Sequence, residues 1–471
     1  MRHAAAVVTM LATLAGAAQA QQGPGLADLL AMLPQLQRDR PPWMIFAYAD
    51  FRAVEAAAGI VPPLAETAVG GAADSFETWP EDRQEAWRFA MRRLLAMPRD
   101  LLIHTQWVGR APVPLVYALG VDWFAIDRVI VVGDQPQVTV LAGDGPLTDD
   151  ETLAWSDLRL RGFARVERDG VPVWHRFDDD IRAIQLTDED MRSDPFDGDV
   201  MAAMRMALAA AADWVPGREG GVAVITENWA DLDAVLAMRS GDAAALTTAP
   251  LLLPMIEAAR QIPGVDPRPV QAWAMELSLL AMGNAPGMAT LLDMLAGSDG
   301  QIDLDEALAQ SEAGAADRTP LPAYPLALFV DLQAGSDQVN AILLPYADRG
   351  DADAAAASLG RALADWVPAG STHGPLVAEV GGAVETLVVD APALAGPVAL
   401  GFLALTGERP TDAQRAALDA DAAGNAGAIA IAAVRYPMPS AGGAEPERAG
   451  RVIHTWHAAI LARSFDVLAV E

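Results

Sequence analysis

Two histidines near the end of the chain have a spacing that suits metal binding. His454 and His457 lie three residues apart within 453–463, where the apolar periodicity predicts a helix. On a helix this spacing puts both imidazoles on one face, where they can ligate zinc or copper. The spacing supplies no third ligand, and the apolar neighbours Trp456 and Ile460 favour the alternative of two partly buried structural histidines.

An acidic segment at 299–306 reads Asp-Gly-Gln-Ile-Asp-Leu-Asp-Glu and resembles the second half of an EF-hand calcium loop. That half supplies a glycine at a sharp turn, an isoleucine, a ninth-position ligand and a glutamate that binds calcium through both oxygens. The first half departs from the pattern, because Leu295 and Gly297 occupy two carboxylate positions. The alternative is a helix start in which these acids form a capping box. The candidate calcium ligands are Asp299, Asp303, Asp305 and Glu306.

Aromatic side chains are a third candidate for ligand contact. The chain has 12 tryptophans, and four of them fall within residues 107–174. Flat aromatic faces stack on sugars and other apolar ligands, but in an alanine-rich core they also fill the gaps between helices. The candidates for ligand stacking are Trp107, Trp123, Trp155 and Trp174.

The motifs of serine and zinc hydrolases are absent from the sequence. No Gly-x-Ser-x-Gly and no His-Glu-x-x-His occurs, and Ser371 and His373 are two residues apart in a glycine-flanked turn, which is not the spacing of a catalytic dyad. A hydrolase that uses two carboxylates stays open as an alternative. Its acids need no fixed spacing, and the chain has 63 acidic residues.

The composition excludes several chemistries. The chain has no cysteine and no lysine, so all 32 basic residues are arginines. Thiol catalysis, thiolate zinc sites, lysine-dependent phosphate loops and lysine Schiff bases are therefore excluded. The net charge of −31 repels nucleic-acid phosphates and anionic lipid surfaces. We expect no organic cofactor and no nucleic-acid partner, which leaves Ca²⁺ at 299–306 as the candidate cofactor.

The first 20 residues have the features of a secretory signal peptide. Arg2 precedes an uncharged apolar stretch that ends at Ala18-Gln19-Ala20, a small-x-small cleavage site. No later segment has the run of about 20 apolar residues that a membrane-spanning helix needs. We therefore expect cleavage of residues 1–20, no integral membrane segment in the mature chain, and a periplasmic or secreted location.

The elements that must position these residues are short strands mixed with helices, which predicts the α+β class. Asp50 is a predicted helix N-cap and Gly59 the end of that helix, while Asp169-Gly170 predicts a tight hairpin turn. An alanine-rich helix is predicted to end near Trp214, followed by a strand over 221–228 and helices to about Ala296. Later predicted strands cover 326–332, 338–346, 376–380, 384–389, 398–405, 428–436 and 466–470, and later predicted helices cover 351–366 and 453–463.

The order of elements predicts an internal duplication. Residues 230–235 echo residues 49–54 at the same place relative to a buried strand. A competing match between 212–216 and 364–368 would align different helices, so the two repeats are incompatible. We predict a leader and short helix over 21–42 and two related modules of short antiparallel sheets packed against helices, over 43–216 and 217–471.

The sequence as a whole favours an exported envelope protein that binds or scaffolds and is not an enzyme. The expected site is the cleft between the two modules, and the expected partner is another envelope protein or a small apolar or carbohydrate ligand. The first alternative is a carboxylate-dependent hydrolase acting on an envelope polymer or a small ester. The second is a structural module stabilised by calcium.

Overall fold

The structure of the protein is a computed structural model. The structure describes residues 25–34, 45–60, 80–94, 126–132, 138–144, 147, 164–175, 207–212, 221–226, 229–242, 246, 248–276, 320–369, 371–405, 427–439, 449–462 and 464–470.

The chain divides into two compact units. The first comprises Met1–Pro42, Ala47–Met91 and Ala96–Thr247, and the second comprises Trp43–Phe46, Arg92–Leu95 and Thr248–Glu471. Helices and antiparallel strands occur in both, so the predicted α+β class is confirmed. The division falls near residue 247, whereas the predicted modules meet at 216. The internal duplication stays a prediction.

The first unit is a sheet with helices at its strand ends. Its strands are ordered β1-β2-β3-β7-β6-β5-β4, and β2-β3 and β4-β5 are antiparallel hairpins. Its elements are α1 (Leu26–Ala31), β1 (Phe46–Asp50, with Phe46 assigned to the second unit), α2 (Phe51–Ala57), α3 (Glu81–Met91), β2 (Arg128–Val132), β3 (Val138–Ala142), β4 (Ala164–Arg168), β5 (Val171–His175), β6 (Ala207–Ala212), β7 (Gly221–Thr226) and α4 (Trp229–Ser240).

Local sequence signals define both ends of α2 and the turn of the β4-β5 hairpin. The Asp50 side chain accepts a hydrogen bond from the Ala53 N–H at 2.8 Å and caps α2, as predicted. Gly59, with φ 70°, follows the end of α2. Asp169 and Gly170 both have positive φ, 50° and 74°, which is the type I′ geometry that joins two strands in a hairpin.

The predicted alanine-rich helix before Trp214 is wrong over its described part. Ala207–Ala212 is strand β6, and it pairs along its length with β7 in antiparallel register. Alanine favours helices in isolation, but pairing with the β-branched residues of β7 overrides that preference.

The second unit is a five-stranded antiparallel sheet in the order β8-β9-β10-β12-β11. Most of its buried side chains are apolar, and Trp273 stacks on Phe329 with ring centroids 4.7 Å apart. Its elements are α5 (Ala249–Ala259), β8 (Gln271–Glu276), β9 (Leu326–Ala334), β10 (Asp337–Tyr346), α6 (Arg349–Asp365), α7 (Leu376–Glu379), β11 (Ala383–Asp390), α8 (Ala395–Leu405), β12 (Ala428–Pro437) and α9 (Arg451–Leu461).

Sequence periodicity predicts the β9-β10 hairpin, α6, β11, β12 and α9 of this unit, but four other predictions are wrong. The predicted strands over 376–380 and 398–405 are the helices α7 and α8, and the predicted strand over 466–470 contains the 3₁₀ turn Asp466–Leu468. Strand β8 lies where helices were predicted. Short apolar runs have the same composition in buried helices and buried strands, so periodicity does not separate them.

Candidate functional site

A cavity of about 480 Å³ lies within the second unit, beside the first turns of α9. Polar side chains make up most of its lining, and no carboxylate is among the described lining residues. The lining residues are Pro368, Ala369, Ser371, Thr372, His373, Arg451, His454, Thr455 and Ala458.

The amphipathic pattern of α9 presents one polar stripe to this cavity. Val452, Ile453, Trp456, Ala459 and Ile460 are buried and hold the helix on the unit. The remaining stripe has the spacing i, i+3, i+4, i+7, which places its side chains on a single face of the helix. The stripe consists of Arg451, His454, Thr455 and Ala458.

The start of α9 is fixed by a glycine. Gly450 precedes the helix with φ 69°, a left-handed conformation that favours glycine. A Cβ atom at this position would lie 2.7 Å from the Arg93 carbonyl oxygen and 3.0 Å from two ring atoms of His454. The close approach of these three residues therefore depends on the absence of a side chain at 450.

The hydrogen bond of His454 fixes its tautomer. His454 Nε2 lies 3.1 Å from the Arg93 carbonyl oxygen, and a carbonyl only accepts, so Nε2 carries the proton. Burial lowers the pKa of His454 below its usual 6.5, although the Arg93 and Leu94 carbonyls and Asp331 favour the protonated form. The ring is therefore neutral at pH 7, and its Nδ1 is a hydrogen-bond acceptor.

A buried ion pair holds the Arg93 carbonyl in place. The Arg93 guanidinium donates to both oxygens of Asp331, at 2.7 and 2.9 Å, and to the Leu332 carbonyl at 2.8 Å. Neither side chain of the pair is exposed. Gln271 Nε2 donates to the same Arg93 carbonyl at 2.8 Å. His454 therefore rests on a rigid, hydrogen-bonded base.

Other polar side chains extend this base across the sheet. Asn340 stands opposite Asp331 on the neighbouring strand, and its Oδ1 accepts from the Tyr436 hydroxyl at 2.8 Å. Gln338 Oε1 accepts from the Gly450 N–H at 3.1 Å, which ties β10 to the start of α9. The amide nitrogens of Gln338 and Asn340 are buried without a hydrogen-bond partner within the described part of the chain.

Hydrogen bonds within the chain also fix two of the three hydroxyl groups that line the cavity. Ser371 Oγ accepts from the His373 backbone N–H at 3.2 Å, so the two side chains do not form a dyad through that contact. Thr455 Oγ1 donates to the Arg451 carbonyl at 2.7 Å.

Arg451 supplies a positive charge at the cavity. It is 46% exposed, and its Nε and Nη2 both donate to Glu379 Oε1, at 3.2 and 3.1 Å. No side chain caps the start of α9, whereas the Asp348 carboxylate caps α6 by accepting from Gly350 and Asp351. A helix N-terminus carries partial positive charge, so the uncapped end of α9 adds to the charge of Arg451.

The two histidines of the predicted metal site have different surroundings. His454 lines the cavity, whereas His457 meets the Trp273 ring edge-on, with centroids 5.8 Å apart. Burial, with a smaller contribution from His454, lowers the pKa of His457 to about 4. Across the described ranges, no group of three or more His, Cys, Asp or Glu side chains is placed to hold a metal. Metal binding by the pair stays a prediction.

Most other predicted site residues lie outside the part of the chain that the structure describes. Trp174 is described, lies in β5 and is 1% exposed, a position consistent with the core-filling alternative. The candidates outside the described residues are Asp299, Asp303, Asp305, Glu306, Trp107, Trp123 and Trp155.

The carboxylates that could serve a hydrolase cluster in the first unit. Arg52 bonds both Asp127 and Glu55, and burial raises the pKa of each carboxyl above its usual value. Arg128 similarly bonds Asp50 at 3.2 Å and Asp144 at 2.9 Å. Each of these carboxylates is thus held by an arginine of the same unit. Asp50, Glu55 and Asp127 are buried, whereas Asp144 is 43% exposed.

No family model, no curated protein and no solved structure matches this chain. The cavity is therefore interpreted from its own chemistry. Among the described residues, no helix combines the length and the apolar character that crossing a bilayer requires.

Sequence reasoning identified His454 but missed Arg451, Thr455 and Ser371. His454 and Thr455 lie three and four residues after Arg451, on one helical face, so a search for polar stripes on the predicted α9 would have found Arg451 and Thr455. Ser371 belongs to a distant loop, and no sequence signal links it to the helix.

Proposed function

We propose that this protein is an exported envelope protein that binds a small anionic ligand in the cavity beside α9. The observation that carries the proposal is the polar lining, in which Arg451 lies at a helix N-terminus without a side-chain cap. Its Nε and Nη2 donate to Glu379, and its Nη1 has no partner among the described residues. A guanidinium group and a helix N-terminus both favour an anion.

The hydrogen bonds and ion pairs of the hydroxyl and carboxylate groups favour a binding function over hydrolysis. The cavity presents no carboxylate among its described residues, and Ser371 Oγ is engaged by a backbone amide. The buried carboxylates Asp50, Glu55 and Asp127 of the first unit are each bonded to an arginine. A carboxylate-dependent hydrolase therefore has less support than a binding protein. The sequence suggested a site between two modules, but the proposed site lies within the second unit.

Thermal unfolding in a panel of small anions tests the proposal. Citrate, acetate and phosphate at matched ionic strength, with glycerol as the uncharged control, are expected to raise the melting temperature to different, saturable extents, because a ligand of the native state stabilises it. Arg451→Gln is expected to abolish the rise. Arg349→Gln is the matched control, since Arg349 also begins a helix, is 45% exposed and pairs with an acid.

Equal responses of the two variants, or no saturable response in the wild type, would contradict the proposed site. The proposed export has a separate test. Expression of the full chain in a Gram-negative bacterium should yield a periplasmic protein whose intact mass corresponds to a start at Gln21. An unprocessed cytoplasmic product would contradict export without bearing on the ligand site.

A further inference from the structure

We infer that the cavity selects a hydroxy acid, a small carboxylate that also carries hydroxyl groups, of which sugar acids are one group. This inference rests on the proposed function and specifies the ligand class of the same site. It follows from the hydrogen-bonding roles of four polar side chains of the cavity, which bonds within the chain define: Arg451, Ser371, Thr455 and His454. The ligand must supply the complementary set.

Two groups of the cavity act as donors. Arg451 has only N–H donors, and because Nε and Nη2 are directed to Glu379, Nη1 is left for a ligand. Ser371 Oγ already accepts from the His373 N–H, so its own proton is available to the cavity. Both donors require acceptor atoms, and a carboxylate supplies two oxygens together with the charge that Arg451 favours.

Two other groups of the cavity act as acceptors. The proton of Thr455 Oγ1 is used on the Arg451 carbonyl, which leaves the lone pairs of that oxygen. His454 carries its proton on Nε2, where the Arg93 carbonyl accepts it, so Nδ1 offers a lone pair. These acceptors require donor atoms on the ligand, and a simple carboxylate at neutral pH has none. Hydroxyl groups satisfy them without adding charge.

A ligand that carries only the carboxylate or only the hydroxyls leaves some of these donors and acceptors without a partner. A carboxylate without hydroxyls places no donor at Thr455 and His454, and a neutral sugar places no charge at Arg451. Each of these groups that is left without a partner weakens binding by up to about tenfold. The cavity volume of about 480 Å³ lies within the range of small-molecule sites and accommodates a hexose-sized ligand.

Isothermal titration calorimetry with matched ligands tests the inference. D-Glucuronate, D-galacturonate and D-gluconate carry both the carboxylate and the hydroxyls, cyclohexanecarboxylate carries only the carboxylate, and D-glucose carries only hydroxyls. At least one hydroxy acid is expected to bind about tenfold or more tightly than either partial ligand. Thr455→Val is expected to weaken binding of the hydroxy acid by about tenfold and to leave the affinity for cyclohexanecarboxylate unchanged.

The possible failures are distinguishable. If cyclohexanecarboxylate binds as tightly as the hydroxy acids and Arg451→Gln abolishes both, the hydroxyl inference is wrong and the proposed anion site stands. If no ligand of the set binds and no anion of the thermal panel stabilises the protein, both are wrong. The melting temperature of Thr455→Val in the absence of ligand verifies that the variant is folded.

Discussion

Acidification should destabilise the protein through His457, whose imidazole packs edge-on against Trp273. Burial and, to a smaller extent, His454 lower its pKa from 6.5 to about 4. Between these values the unfolded chain binds a proton that the folded chain excludes, so the free energy of unfolding falls as the pH falls. At about 1.4 kcal/mol per pKa unit, the loss attributable to His457 reaches about 3 kcal/mol by pH 4.

The variant His457→Phe isolates this contribution, because it keeps an aromatic ring beside Trp273 and removes the titrating group. Other groups titrate in the same range. His454 has a lowered pKa, which acts in the same direction, and Glu55 and Asp127 have raised pKa values, which act in the opposite direction. Comparing the variant with the wild type at each pH cancels these common contributions.

Urea unfolding followed by tryptophan fluorescence, at several pH values from about 7 down to 4, measures the difference. The free energy of unfolding of His457→Phe relative to the wild type is expected to rise by about 3 kcal/mol over this range. The control is Leu461→Ala at a position that is 55% exposed, which removes no titrating group, so the difference should stay constant. A constant difference for His457→Phe would refute the reasoning that the folded protein excludes the proton.

Two further predictions concern the base of the site. Asp331→Asn leaves the buried Arg93 guanidinium without its counter-charge and should cost about 3–5 kcal/mol in urea unfolding. The control Asp390→Asn, at a carboxylate that is 66% exposed, should cost under about 1 kcal/mol, and equal costs would contradict the buried pair. Gly450→Ala should cost more than Gly381→Ala, because both have left-handed φ but only the first would place a Cβ against the Arg93 carbonyl. Gly450→Ala should also weaken ligand binding. An unchanged affinity would contradict the inference that the turn at Gly450 positions the ligand-binding groups of the cavity.

Local signals in the sequence predict the local features of this fold. Asp50 and Gly59 bracket α2 because capping and left-handed turns depend on residues within the same few positions. Ala207–Ala212 contradicts its helical propensity because its structure is decided by a strand that follows it in the chain. Val398–Leu405 was predicted as a strand and is helical, since its apolar run has no period that separates the two.

The candidate site was predictable only in part for the same reason. The spacing of His454 and His457 indicated the helix and one lining residue of the cavity, whereas His457 packs against Trp273. The features that give His454 its chemistry, the Arg93 carbonyl and the loop carrying Ser371, come from distant parts of the chain. Such contacts have no sequence period, so only the fold shows them.

The most direct test of the account is the nitrogen NMR spectrum of the protein labelled with ¹⁵N-histidine. The chain has six histidines, and single substitutions assign the resonances of His454 and His457. On saturation with the tightest-binding hydroxy acid of the panel, the Nδ1 resonance of His454 is expected to shift as it accepts a hydrogen bond, while that of His457 stays in place. A saturable binding heat without any change at His454, or the absence of both, would contradict the proposed site.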